Sequence, residues 1–192
     1  MTKRRQSALI LVAVGANVAG TWGPPRNTIE TALNVLVELG IHVVARSKLY
    51  STPAAAYSPQ ADYLNAVLLI EASLGPAALL RCLKEIERRA GRRLGPKWGP
   101  RPLDLDLICF KGARNGKRRG RGKRSRHIGR PLILPHPELE RRAFVLVPLA
   151  DVAPDFVSLV SGRPVSRLLH ALPARAIHQC NPLDQTGRAC DT

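Results

Sequence analysis

The first apolar stretch of the chain, "ALILVAV" at residues 8–14, is continuous, as expected of a strand buried on both faces. After a Gly-containing turn the period changes. In "RNTIETALNVLVELG", Ile29, Leu33, Leu36 and Val37 fall on one helical face, and Gly40 supplies the stop. "IHVVARSKLYST" (41–52) is rich in β-formers and predicts a second strand. A loop with Pro53, Pro59 and three alanines leads to a third, "YLNAVLLIEAS" (63–73). "SLGPAALLRCLKEIERRAG" returns to helical spacing, with Ser73 as N-cap candidate, Pro76 early and Gly91 at the end. "RPLDLDLICF" (101–110) then alternates and predicts a fourth strand.

The predicted order is β-α-β-β-α-β. It implies an α+β, ferredoxin-like core: an antiparallel sheet flanked by helices in three αβα layers, with a C-terminal extension. Beyond it, "VSRLLHAL" has a short helical pattern, and periodicity is lost from about Pro173. These patterns predict one domain over 1–172, carrying a basic insertion at 113–130, and a flexible tail over 173–192.

Charge changes the picture in one place. The net charge is +16, but residues 111–130 hold ten of the thirty basic residues and no acidic one, which leaves +6 for the rest. A basic run suggests nucleic acid, yet this one lacks the interleaved aromatics that stack on bases. It predicts non-specific polyanion affinity and no specific nucleic-acid partner. Cys82 and Cys109 fall in apolar patterns and read as core residues, whereas Cys180 and Cys190 read as exposed thiols in a polar tail. The N-terminal "MTKRRQSALILVAVGANVAG" imitates a secretory signal but reads better as a first strand and turn, so the expected location is cytoplasmic, without a membrane span.

The sharpest chemical signal is "KWGPRPLDLDLI" (97–108). On a strand, Asp104 and Asp106 project together, about 7 Å apart, while Leu103, Leu105 and Leu107 face the core. Such a pair suits hard divalent cations, although the same pattern also describes the wet face of a half-buried strand. Arg92, Arg93, Lys97 and Arg101 lie close by in sequence. Cations and paired acids in a Gly/Pro-rich loop running into a strand suit a polyphosphate–Mg²⁺ complex. Trp98 fits either a core anchor or a wall for a flat ring.

"WGPRPLDLDLI" resembles the signature of the 6-hydroxymethyl-7,8-dihydropterin pyrophosphokinase family. The resemblance extends through "VAVGAN", "YSTPAAAYSPQADYLNAV", "LKEIERRAGR" and "LPHPELERRAFVLVPLADVAPD", in the family's order, over about residues 8–172. It implies transfer of pyrophosphate from ATP to the pterin hydroxymethyl group, releasing AMP, with two Mg²⁺ ions, in a monomer. By resemblance Asp104 and Asp106 hold the metals, and Arg92 and Arg101 serve catalysis with them. Glu87, Arg92, Lys97, Trp98, Arg101, Ile108, His136 and Arg142 are implied at ATP. Thr52, Pro53, Tyr63, Asn65, Asp104 and Phe144 are implied at the pterin, with Phe144 stacking on the heterocycle. Gly15 and Asn17 match a turn that shapes the site, and Glu87 also has the spacing to pair with Arg92 or Lys84. The chain departs from the family pattern at Leu94, at the Ala-rich 54–56 and at the 113–130 insertion. The rival readings are another Mg²⁺-dependent phosphoryl or nucleotidyl transferase, distinguished by its leaving group, and a basic nucleic-acid-binding module.

Overall fold

The computed structural model describes residues 9–54, 60–93, 95, 99–111, 125–127 and 130–184. The elements, in chain order, are β1 (Leu9–Ala16), α1 (Pro25–Glu38), β2 (His42–Arg46), β3 (Leu49–Thr52), β4 (Tyr63–Glu71), α2 (Pro76–Arg89) and β5 (Asp104–Lys111). After these come a two-stranded ribbon of β6 (Ser125–His127) and β7 (Arg130–Leu132), a 3₁₀ turn (Leu139–Arg141), α3 (Ala143–Val152), α4 (Val165–His170), α5 (Ala174–His178) and β8 (Asn181–Leu183).

The main sheet is antiparallel and runs β5-β1-β4-β3-β8, with β2 also pairing with β4. β4 therefore lies between β1 and the β2/β3 segment, as a split βαβ arrangement requires. α1 and α2 cover one face through Ile29, Leu36, Leu79, Leu83 and Ile86, packed with Val12, Val14, Leu105 and Leu107. α3 and α4 cover the other, where Leu146, Leu149 and Leu168 meet Leu11, Val67, Ile108 and Cys109. Three layers result, with the sheet buried in the middle.

Several expectations need correction. The single strand predicted over 41–52 is two strands. Ser47 interrupts it: its hydroxyl accepts the Val67 N–H at 3.0 Å and donates to the Lys48 carbonyl at 2.7 Å, replacing a rung of the ladder. The α1 stripe is Thr28, Ile29, Ala32, Val35 and Leu36, while Val37 is 56% exposed. Ser73 does not cap α2. Gly75 occupies the N-cap and Pro76 the first turn, where its missing N–H costs no helical bond.

The expected flexible tail holds α5 and β8, and β8 joins the sheet beside β3. Leu172, Ala176 and Cys180 pack with Tyr50 and Ala143, and Leu183 packs against the main core. Cys180 is thus buried, contrary to the expected exposed thiol, and burial pushes its pKa up to about 11. These apolar residues are too widely spaced to show a period. Most of the basic insertion lies outside the described residues, as do Cys190, Leu94 and part of the Ala-rich loop. No helix among the described residues is long and apolar enough to cross a membrane.

Candidate active site

The end of α2 builds one side of the site. Gly91 adopts φ +96°, which L side chains rarely take. The Gly91 N–H donates to the Arg88 carbonyl and the Arg92 N–H to the Glu87 carbonyl, closing the helix in a Schellman motif. This stop turns Arg92 back toward β5. Its guanidinium bonds Asp104 Oδ1 and lies 2.7 Å from Glu87 Oε1. Arg101 holds the other oxygen of Asp104 at 2.6 Å. Burial alone would raise the Asp104 carboxyl, but Arg92, Lys84 and Arg101 outweigh it and hold the group below its ordinary value.

β5 is an edge strand, and α2 caps its free side at Leu105. The Leu105 N–H donates to Glu87 Oε1 at 2.7 Å, and the Leu105 carbonyl accepts from Lys84 Nζ at 3.0 Å. Lys84 Nζ also lies 2.6 Å from Glu87 and 3.3 Å from Asp106 Oδ1. Glu87 is only 2% exposed, and burial pushes its pKa up to about 7 against the pull of Lys84 and Arg92. Both pairings expected of Glu87 are therefore present. Lys84 was not among the candidate site residues. Its signal was available: Leu80, Leu83, Lys84 and Glu87 share one helical face, so two charges sit in an apolar stripe.

Asp104 and Asp106 share one face of β5, as the alternation predicts, with Leu103, Leu105 and Leu107 buried on the other. Asp106, 40% exposed at its side chain, opens into a depression lined also by Ile108, His136, Arg142, Phe144 and Val145. A bulge in the β1–β5 pairing places Ile108 and Cys109 both toward α3. It leaves the Ile108 carbonyl to accept the His136 N–H at 2.8 Å. The Glu138 N–H donates to His136 Nδ1 at 3.1 Å, which fixes a neutral ring with its proton on Nε2. Burial lowers the His136 pKa accordingly. Arg142 lies 5.6 Å from the Phe144 ring centroid. Ile108, His136, Arg142 and Phe144 thus come together beside Asp106.

The residues implied at the pterin gather on the same sheet face, toward β3. Tyr63 and Asn65 stand two apart on β4 and face the same way. Asn65 Nδ2 donates to Thr52 Oγ1 at 2.7 Å, and both residues are buried. Tyr63 Oη donates to the Gly99 carbonyl at 3.1 Å. Gly15 lies beneath them: a Cβ there would meet Asn65 Oδ1 at 3.1 Å and Asp104 Cβ at 3.9 Å. Pro53 is exposed at the rim. Asn17 is 3% exposed and braces the floor, accepting the Arg101 N–H at 2.8 Å and donating to Gln60 and the Ala61 carbonyl at 3.2 Å each. Lys97 and Trp98 lie outside the described residues.

The model of one protein family, 7,8-dihydro-6-hydroxymethylpterin-pyrophosphokinase (HPPK), matches residues 11–154, which include every candidate site residue. The chain belongs to the HPPK family. It is therefore a transferase, an ATP-dependent pyrophosphokinase of hydroxymethyldihydropterin in folate synthesis. Among its relatives, the 2-amino-4-hydroxy-6-hydroxymethyldihydropteridine pyrophosphokinase of Synechocystis is 36% identical over 90% of this chain and 80% of its own. The protein of that name from Pseudomonas aeruginosa is 36% identical over 88% of this chain and 95% of its own. An Arabidopsis thaliana mitochondrial "folate synthesis bifunctional protein" is 38% identical over 74% of this chain, which spans 23% of that longer protein. In architecture, the crystal structure of Plasmodium falciparum HPPK-DHPS superposes with a TM-score of 0.61 at 13% identity, over 88% of this chain and 42% of that one.

Proposed function

We propose that the two carboxylates on β5, the cations around them and the Asn65 pocket together form the site of pyrophosphoryl transfer from ATP to 6-hydroxymethyl-7,8-dihydropterin. The observation that carries this reading is Asp104 and Asp106 on one sheet face, between the depression that holds His136 and Arg142 and the buried Asn65–Thr52 pair. Among the described residues no three His, Cys, Asp or Glu side chains are placed to hold a metal ion together; Glu87, beside the two aspartates, is taken by Lys84, Arg92 and the Leu105 N–H. Two carboxylates still fit Mg²⁺, which completes its shell with water and phosphate oxygens. Asp104 and Asp106 would hold the two ions, which when bound neutralise phosphate charge and orient the triphosphate.

The chain's own groups do the rest. Arg92 and Arg101 exchange Asp104 for phosphate oxygens and stabilise charge on the transferred group. His136 presents its Nε2 proton, and Arg142 its guanidinium, to the nucleotide in the depression with Ile108. Lys97 and Trp98 complete the ATP side, and Glu87 positions the strand. Asn65 offers an amide to the pterin edge, Thr52, Pro53 and Tyr63 line it, and Phe144 stacks on the ring. The hydroxymethyl oxygen then bonds to the β-phosphorus, the bond from that phosphorus to the α-phosphate oxygen breaks, AMP leaves, and the hydroxyl proton passes to water. Positioning and charge carry the rate, without a dedicated base. The reading includes a cytoplasmic monomer without a specific nucleic-acid partner.

The test is to incubate purified protein with ATP, Mg²⁺ and the reduced hydroxymethylpterin and follow nucleotide products. AMP in step with pterin pyrophosphate is expected. ADP or inorganic pyrophosphate as the released product would instead mark a different transferase.

A further inference from the structure

Lys84 has an unusual placement for a helix lysine. Its side chain is 26% exposed, and its ammonium ion has three acceptors within hydrogen-bond distance: Glu87 Oε1 at 2.6 Å, the Leu105 carbonyl at 3.0 Å and Asp106 Oδ1 at 3.3 Å. Asp104 Oδ1 lies 4.0 Å away. An ammonium group has three protons, so this set saturates it. Arg92 and Arg101 lie outside the helices and strands, whereas Lys84 projects from α2 and is tied to a buried carboxylate and a backbone carbonyl. Of the three cations, Lys84 is the one within hydrogen-bond distance of Asp106 and of the Leu105 carbonyl.

We propose that Lys84 is a positioning residue that holds Asp106 against the edge of β5 and competes there with a divalent cation. The carboxylate pair then takes up such a cation weakly alone and tightly only together with nucleotide phosphates. The inference rests on the reading of Asp104 and Asp106 as metal carboxylates. A fixed positive charge 3.3 Å from one carboxylate oxygen repels a second cation at that oxygen. Phosphate oxygens reverse this, because they give the ammonium ion a competing partner. Cation and nucleotide thereby become coupled through a side chain. Neutralising Lys84 leaves Glu87 its Arg92 and Leu105 partners, so α2 keeps its bond to the strand edge.

The direct test is Mn²⁺ binding followed by the loss of the free-ion EPR signal, without nucleotide. Lys84→Gln and Lys84→Met are expected to bind Mn²⁺ about tenfold tighter than the unsubstituted chain, and Lys84→Arg to bind as weakly as the original. With a non-hydrolysable ATP analogue present, the gap between the unsubstituted chain and Lys84→Gln is expected to close. Equal affinity in the unsubstituted chain and both neutral variants, or no binding by those variants, overturns the proposal. Binding that Asp106→Ala leaves unchanged in every background, with and without the analogue, instead overturns the metal assignment itself. A second measurement needs no variant. The side-chain NH₃⁺ signal of Lys84 in ¹⁵N-lysine-labelled protein should move on adding Mg²⁺ with the analogue and stay in place with the same Mg²⁺ alone; movement with Mg²⁺ alone also overturns it.

Discussion

Asn17 grips the backbone of Arg101 twice: its side-chain oxygen accepts the Arg101 N–H at 2.8 Å, and its own N–H donates to the Arg101 carbonyl at 3.0 Å. The turn after β1 and the approach to β5 are thereby joined, so the guanidinium of Arg101 leaves a backbone that cannot drift. Asn17→Ala removes the buried side-chain bonds and is expected to cost about 1–3 kcal/mol of stability. It should also lower kcat by at least about tenfold, because a displaced catalytic group loses rate steeply. Urea unfolding and steady-state AMP formation measure the two effects, and unchanged values in both would remove the brace from the account.

Asp106→Ala should lower turnover about a thousandfold while leaving the fold intact, since Asp106 faces the open depression and its Lys84 contact is partly exposed. Thermal melting and AMP release separate the two. Turnover near the original value would contradict a metal-holding role.

Asn65→Leu addresses the pterin side. The substitution leaves the Thr52 hydroxyl without its 2.7 Å partner and removes the amide from the pocket. A rise in the pterin KM of about ten- to a hundredfold is expected, with the KM for ATP nearly unchanged. Equal changes in both constants would place Asn65 in general support of the fold.

His136 carries the clearest pH dependence. An imidazole in the unfolded chain takes up its proton near pH 6.5, whereas burial makes folded His136 do so at lower pH. Between those values the unfolded chain binds more protons, so this contribution is complete above about pH 6.5 and lost as pH falls through the folded value. Stability measured against pH should fall less steeply below about pH 6.5 in His136→Gln than in the original. Parallel curves would show that His136 does not titrate in this way.

Deleting residues 114–129 removes most of the basic run. Turnover at moderate salt is expected to survive, while salt-dependent retention on a polyanion column should drop sharply. Loss of turnover would assign those charges to ATP.

Much of this was legible in the residues. β1, β4 and β5 announce themselves because a strand covered on both faces needs an unbroken apolar run, and one with a polar face needs alternation. That alternation is what puts Asp104 and Asp106 on one face. Other features depend on contacts distant in sequence. The break at Ser47 exists because Val67 offers an N–H there. The bulge at Ile108 follows from its register against β1. β8 has three residues and, among the described residues, joins the sheet through β3. Lys84 was visible as a charge within an apolar stripe, but its acceptors come from a strand about twenty residues away.

The capping of Leu105 by α2 also governs how one molecule meets another. An edge strand ordinarily offers its outward N–H and C=O groups as a template on which a neighbouring chain adds a strand. At Leu105 both are already taken, the first by Glu87 and the second by Lys84. At that position the rim that bears Asp104 and Asp106 offers a neighbouring chain no free backbone pair on which to add a strand.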